Sequence, residues 1–210
     1  MIFKDAKAYH LTVEAYYRIF IPDLLKQYEK IVYLDCDLVL FKDVAELYSI
    51  DLKGNPLGAV YCGPSSFLPE PGEKDLSKWR MFNSGVLLID VRSYKEHRIM
   101  EKSIELIETG EEFAVCDQDV LNKVLLGKVT YLDYKWNVPW HFLREDFPPL
   151  EGVKKEAFEQ VLTDPYIVHF TSNIKPWNKP DELLAECFWQ YARKTIFYEE
   201  IIYREMKTSK

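Results

Sequence analysis

The chain has 210 residues, 48% hydrophobic and 29% charged, the balance of a globular protein of about one domain with a core of its own. No apolar run is long enough to span a bilayer, and MIFKDAKAYH has no signal-peptide core; the four cysteines are scattered without a CxxC pair, which excludes a zinc ribbon or disulfide scaffold and suits a reducing cytoplasm. A formal net charge of −7 without a basic stripe argues against free nucleic acid as a partner, while fourteen Tyr and five Trp predict wide, partly polar contact surfaces.

Short apolar runs alternate with amphipathic stretches, which predicts an α/β fold. Thr12 is placed to cap a helix over Val13–Ile21 that Pro22 breaks or kinks. Lys30–Leu34 (KIVYL) and Leu38–Phe41 read as strands, the first without alternation and so buried on both faces. Leu57–Cys62 is a third strand, Gly63–Arg80 a loop rich in Pro and Gly, and Gly85–Val91 (GVLLIDV) a further buried strand. Ser93 caps a helix reaching Thr109, and a second helix over Asp117–Leu126 ends at Gly127. Lys128–Leu132 reads as a strand and Trp136–Leu150 as irregular. A helix over Lys154–Leu162, a strand over Tyr166–Phe170 and one long helix over Asp181–Arg204 complete the chain. Short linkers with apolar segments across each boundary predict one domain.

Five places could carry chemistry. Asp35 and Asp37 follow a buried strand, where residues two apart share a face and open α/β sheets bind ligands; two such carboxylates suit Mg²⁺ or Mn²⁺. A second pair, Asp117/Asp119, shows that the spacing alone is commonplace, and a solvated strand end is the plain alternative. His169 leaves a strand toward Ser172 and Lys175: a metal ligand and a phosphate contact, or a core histidine with a loop anchored by Pro176-Trp177. Asn83 and Gly85 offer a hydrogen-bonding amide and close backbone approach, or simply a turn before a strand. Asp117, Gln118 and Asp119 open a helix, where acids also complement its dipole. Arg18 shares a helix with Tyr16 and Tyr17, where a solvated charge is the usual outcome.

In order, AYYRIFIPDLL, KIVYLDCDLVL, FNSGVLLIDV, DQDVLN, KWN and HFTSNIKPW resemble the signature segments of glycosyltransferase family 8 over nearly the whole chain. The resemblance implies a GT-A fold, with a mixed, mostly parallel sheet flanked by helices, and retaining, metal-dependent transfer of glucose or galactose from a UDP-sugar to a saccharide or glycan. It implies Asp35, Asp37 and His169 as ligands of Mn²⁺ (or Mg²⁺). Lys175 and Arg18 would contact the donor, as would Ser172, which stands where the family carries glycine. Asn83, Asp117 and Gln118 would surround the transferred sugar. Family members carry a further β-α-β unit before the arginine helix, so this reading also expects an N-terminally truncated sheet whose edge a second copy or rearranged N-terminal residues cover. At most a peripheral contact with membrane is expected. Acceptor choice falls to Gly63–Arg80 and to the aromatics of Trp136–Phe147, which could equally be core. Two rivals remain: a metal-dependent phosphohydrolase or nucleotidyltransferase using the same acids, and a non-catalytic homologue kept as a binding subunit.

Overall fold

The computed structural model describes residues 12–64, 80–139, 161, 163–171 and 173–208. A four-stranded sheet has the order β1-β4-β3-β5, from β1 (Lys30–Leu34), β3 (Leu57–Pro64), β4 (Arg80–Asp90) and β5 (Val129–Tyr131). A smaller sheet has the order β2-β7-β6, from β2 (Leu38–Leu40), β6 (Val138–Pro139) and β7 (Ile167–His169). The sheets are mixed and flanked by helices, as expected for the α/β fold, but the expected parallel majority is not met among the described strands. Because β4 runs back between β1 and β3, it pairs antiparallel on both sides, and β2–β7 is antiparallel too; β3–β5 and β6–β7 are parallel.

β4 organises the core. Its alternate side chains enter different apolar layers, Leu87 and Ile89 joining Ile19, Ile99, Val120 and Leu121 under the helices, Val86 and Leu88 joining Leu47, Trp136 and Ile167 beneath the second sheet. Both faces are covered, which is why GVLLIDV lacks polar alternation. β1 differs from expectation: it ends the four-stranded order and only Ile31 is fully buried, since a terminal strand is packed less completely than a central one.

Helix boundaries follow local chemistry more than periodicity. Residues Val13–Ile19 form a 3₁₀ helix rather than the start of an α-helix, and Thr12 makes no side-chain cap bond to it. Pro22 sits in the first turn of α1 (Ile21–Leu24), where its missing N–H costs nothing, instead of breaking or kinking a helix. After α2 (Val44–Tyr48), the helix assigned to a Ser93 cap divides into α3 (Val91–Glu96) and α4 (Ile99–Glu108). Asp90 is the true cap, accepting from the Ser93 N–H at 2.7 Å, and Arg98 divides the helices with left-handed backbone at φ 55°. α5 (Cys116–Val124) is as expected to within two residues. The single C-terminal helix becomes two, Ala185–Ala192 and Tyr198–Thr208, because Thr195 turns the chain by bonding the Ala192 carbonyl and the Phe197 N–H. The helix expected over Lys154–Leu162, except for Val161, and residues 65–79 of the expected Gly63–Arg80 loop lie outside the described residues, while Gly63, Pro64 and Arg80 extend β3 and β4 as paired strand. Among the described residues no helix is long and apolar enough to cross a membrane.

Candidate active site

Strand pairing, more than strand direction, brings the metal-type ligands together. The Asp35 N–H donates to the Gly85 carbonyl at 2.8 Å, ending β1 against β4. The chain then bends through Asp35-Cys36-Asp37 into the second sheet, where Leu38 pairs with His169 and the Phe170 N–H donates to the Asp37 carbonyl at 2.9 Å. Residues 132 apart are therefore neighbours: His169 Nε2 lies 3.1 Å from Asp37 Oδ1 and 3.7 Å from Asp35 Oδ2. One ligand atom from each of Asp35, Asp37 and His169 lies within 4.8 Å of the others. Gly85 forms the floor, and a Cβ there would stand 2.1 Å from His169 Cε1 and 2.6 Å from Asp35 Oδ2.

Two carboxylates and one imidazole fit a divalent cation, Mn²⁺ better than Mg²⁺ because of the nitrogen donor. Lys175 Nζ bonds Asp37 Oδ2 and the Phe170 carbonyl. Burial by itself would raise the Asp37 carboxyl, but the hydrogen bonds and charges of His169 and Lys175 outweigh it and hold the group below the usual carboxylate range. The Lys175 loop is anchored by Trp177, whose ring lies 5.2 Å from that of Phe188, so the anchoring role considered for Pro176-Trp177 is met for Trp177.

Arg18 is not a solvated charge. Its side chain is 10% exposed, with Nη2 at 3.2 Å from Asp35 Oδ1 and Nε at 3.1 Å from Asp117 Oδ2. Nη1 donates to the Ser84 carbonyl at 2.7 Å, and the guanidinium lies 4.7 Å above the Tyr33 ring. Tyr33 in turn donates to Asp35 Oδ1 at 2.7 Å. Asp117 is 2% exposed, and burial pushes its carboxyl up to about 6 despite Arg18. A buried acid raised in this way binds its proton more tightly folded than unfolded. Its stabilising contribution is therefore complete below the ordinary carboxylate pKa and is lost as the pH rises through about 6. Thermal unfolding across this window should show that loss in the wild type, and Asp117→Asn should flatten it; an unchanged profile would mean Asp117 stays charged throughout.

The amides form the opposite wall. MFNSG is strand, not turn, because β4 extends back to Arg80. Asn83 Nδ2 donates to Gln118 Oε1 at 3.1 Å, as does the Ser84 N–H at 3.2 Å. Asn137 Nδ2 donates to Asn83 Oδ1 at 2.8 Å and Asn137 Oδ1 meets His169 Nδ1 at 2.9 Å. Asn122 pins α5 to β4, accepting from the Phe82 N–H and donating to the Phe82 carbonyl, each at 2.9 Å. Sequence reasoning assigned no role to Tyr33, Ser84, Asn122 or Asn137. Asn122 and Asn137 close the segments DQDVLN and KWN, a signal that points to them; nothing local marks the other two.

All the named site residues except Ser172 gather here; Ser172 lies outside the described residues. Of the expected acceptor aromatics, Trp136 is 5% exposed and packs edge-on against Tyr166 at 4.9 Å. It is core, because the second sheet needs a bulky side chain beneath it; Trp140, His141 and Phe142 lie outside the described residues.

The sequence profile of Glycosyl transferase family 8 matches residues 2–181. The chain belongs to glycosyltransferase family 8. It is 34% identical over 175 residues to general stress protein A of Bacillus subtilis, covering 80% of this chain and 60% of that protein. The fold is shared with solved structures. The bifunctional glycosyltransferase WbbM, in its apo structure, superposes with TM-score 0.78 at 25% identity, over 94% of this chain and 38% of its own. Galactosyltransferase LgtC, in complex with donor and acceptor sugar analogues, superposes with TM-score 0.64 at 23% identity, over 89% of this chain and 69% of its own. The GT-A fold follows from these likenesses. The chain thus spans less than two thirds of general stress protein A.

Proposed function

We infer that this family 8 chain transfers a hexosyl unit, glucose or galactose, from a UDP-sugar to a saccharide or glycan acceptor with retention of anomeric configuration. The observation that carries the reading is the convergence of Asp35, Asp37 and His169, with Lys175 beside Asp37. A Mn²⁺ or Mg²⁺ ion held by these three residues would supply Lewis-acid stabilisation of the departing diphosphate. Lys175 places a further positive charge where negative charge grows. Arg18, paired with Asp35 and Asp117, contacts the donor in this reading, as does Ser172.

In the step, the bond from the anomeric carbon to the diphosphate oxygen breaks and a bond to the acceptor oxygen forms on the same face. The acceptor proton passes to the leaving diphosphate. Asn83, Asp117 and Gln118 border the oxocarbenium-like centre and orient the sugar. Trapping a covalent glycosyl–enzyme adduct would replace same-face attack with double displacement.

The reading includes a single domain, a cytoplasmic setting, no more than peripheral membrane contact, and a second copy against the β1 edge. The test incubates the chain with UDP-glucose or UDP-galactose and Mn²⁺. UDP should appear with free or transferred hexose, and both chelation and Asp37→Ala should abolish it. Release of UMP or sugar phosphate would turn the reading to a phosphohydrolase. Calorimetry showing no heat with millimolar UDP and Mn²⁺ would turn it to a non-catalytic subunit.

A further inference from the structure

The amides between the two halves of the site carry a direction that two backbone groups impose. An Asn or Gln side chain presents an accepting oxygen on one side and a donating NH₂ on the other. A backbone N–H is always a donor. The Gly85 N–H points at the Asn83 side chain, at 3.0 Å, so the atom it meets is Oδ1. The Ser84 N–H points at Gln118 at 3.2 Å, so that atom is Oε1. Asn83 must then present Nδ2 to Gln118, and Asn137, facing Asn83 Oδ1 at 2.8 Å, must present its own Nδ2. That leaves Asn137 Oδ1, an acceptor only, against His169 Nδ1 at 2.9 Å in a position 1% exposed. The ring must carry hydrogen on Nδ1.

We propose that Asn137 is a positioning residue, which with Asn83 transmits the orientation of the β4 backbone amides to His169, fixes its Nδ1–H tautomer and so reserves the Nε2 lone pair for a cation between Asp35 and Asp37. The other end of the chain has a matching consequence. Gln118 Oε1 already accepts from Ser84 and Asn83, so both its acceptor positions are engaged and the amide NH₂ is the group left to bond elsewhere, as a donor. The need for a cation is local: with Nδ1–H committed to Asn137, the Nε2 lone pair faces carboxylate oxygens at 3.1 and 3.7 Å, an approach that a cation seated between them relieves. A metal-binding imidazole whose other nitrogen is held in this way is both oriented and made more basic.

The inference concerns the cation site and does not require the sugar-transfer reading, so its tests use no sugar nucleotide. Long-range ¹H–¹⁵N correlation spectra of the metal-free protein, at a pH where the ring is neutral, should show His169 as the Nδ1–H tautomer. An Nε2–H tautomer would overturn the proposal, whatever the activity. Mn²⁺ affinity, read by electron paramagnetic resonance, should fall by about 10- to 100-fold in Asn137→Ala. In Asn137→Asp it should fall less than in Asn137→Ala, because a carboxylate still accepts from Nδ1–H although its second oxygen then faces Asn83 Oδ1. A merely structural role for Asn137 would instead weaken both variants alike or leave both unchanged. If Asn137→Ala does not fold, the wild-type spectrum still decides.

Discussion

Gly85→Ala is expected to weaken cation binding strongly while leaving most of the fold in place. The added Cβ would lie 2.1 Å from His169 Cε1 and 2.9 Å from Nδ1, where no van der Waals contact is possible. The ring cannot easily retreat. It is 2% exposed, its strand is paired to β2 on one side and β6 on the other, and Asn137 holds Nδ1. The methyl would also meet Asp35 Oδ2 at 2.6 Å, so two of the three ligands must move together. Overpacking of this kind costs about 1–3 kcal/mol. If the cost falls on the cradle, Mn²⁺ affinity drops by roughly 10- to 100-fold, since each 1.4 kcal/mol is a factor of ten. Paramagnetic resonance titration reads the affinity and circular dichroism reads the fold. Wild-type affinity in a folded Gly85→Ala protein would show that the cation does not sit over Gly85.

Arg18→Ala should be the most destabilising single change at the site. It strands Asp35 and Asp117, whose side chains are 24% and 3% exposed, without their shared cation. Removing one partner of a buried ion pair costs about 3–5 kcal/mol, because the remaining charge stays out of water. For a chain of this size that corresponds to a fall in Tm on the order of 10 °C. Arg18→Lys should recover little, since one ammonium cannot reach Asp35, Asp117 and the Ser84 carbonyl from the same position. Adding Asp117→Asn to Arg18→Ala should restore part of the loss by removing the buried charge. Thermal unfolding at neutral pH measures all three variants, and an Arg18→Ala protein as stable as the wild type would contradict this account.

Patterns with a short physical range were legible in the sequence. The apolar run GVLLIDV marked the central strand because burial on both faces leaves no room for polar alternation. Gly110 and Gly127 marked helix ends because both adopt positive φ there. The order of the motif segments marked the family and the residues that gather at the site. What local pattern misjudged was set by partners distant in the chain or by side-chain competition: the division at Arg98, the turn at Thr195, and the loss of full burial in KIVYL at a sheet end.

The amino-acid sequence by itself determined which groups are present and roughly where each strand and helix lies, because propensity, capping and periodicity act over a few residues. Only the tertiary structure decided what those groups do to one another. The pairing of Leu38 with His169 sets an imidazole beside Asp37, 132 residues earlier, and Arg18 reaches a Ser84 carbonyl 66 residues away. Two β4 amides dictate the polarity of a chain that ends on His169. Such couplings depend on register and burial, which arise only when the sheets close on one another, and no window of neighbouring residues contains them.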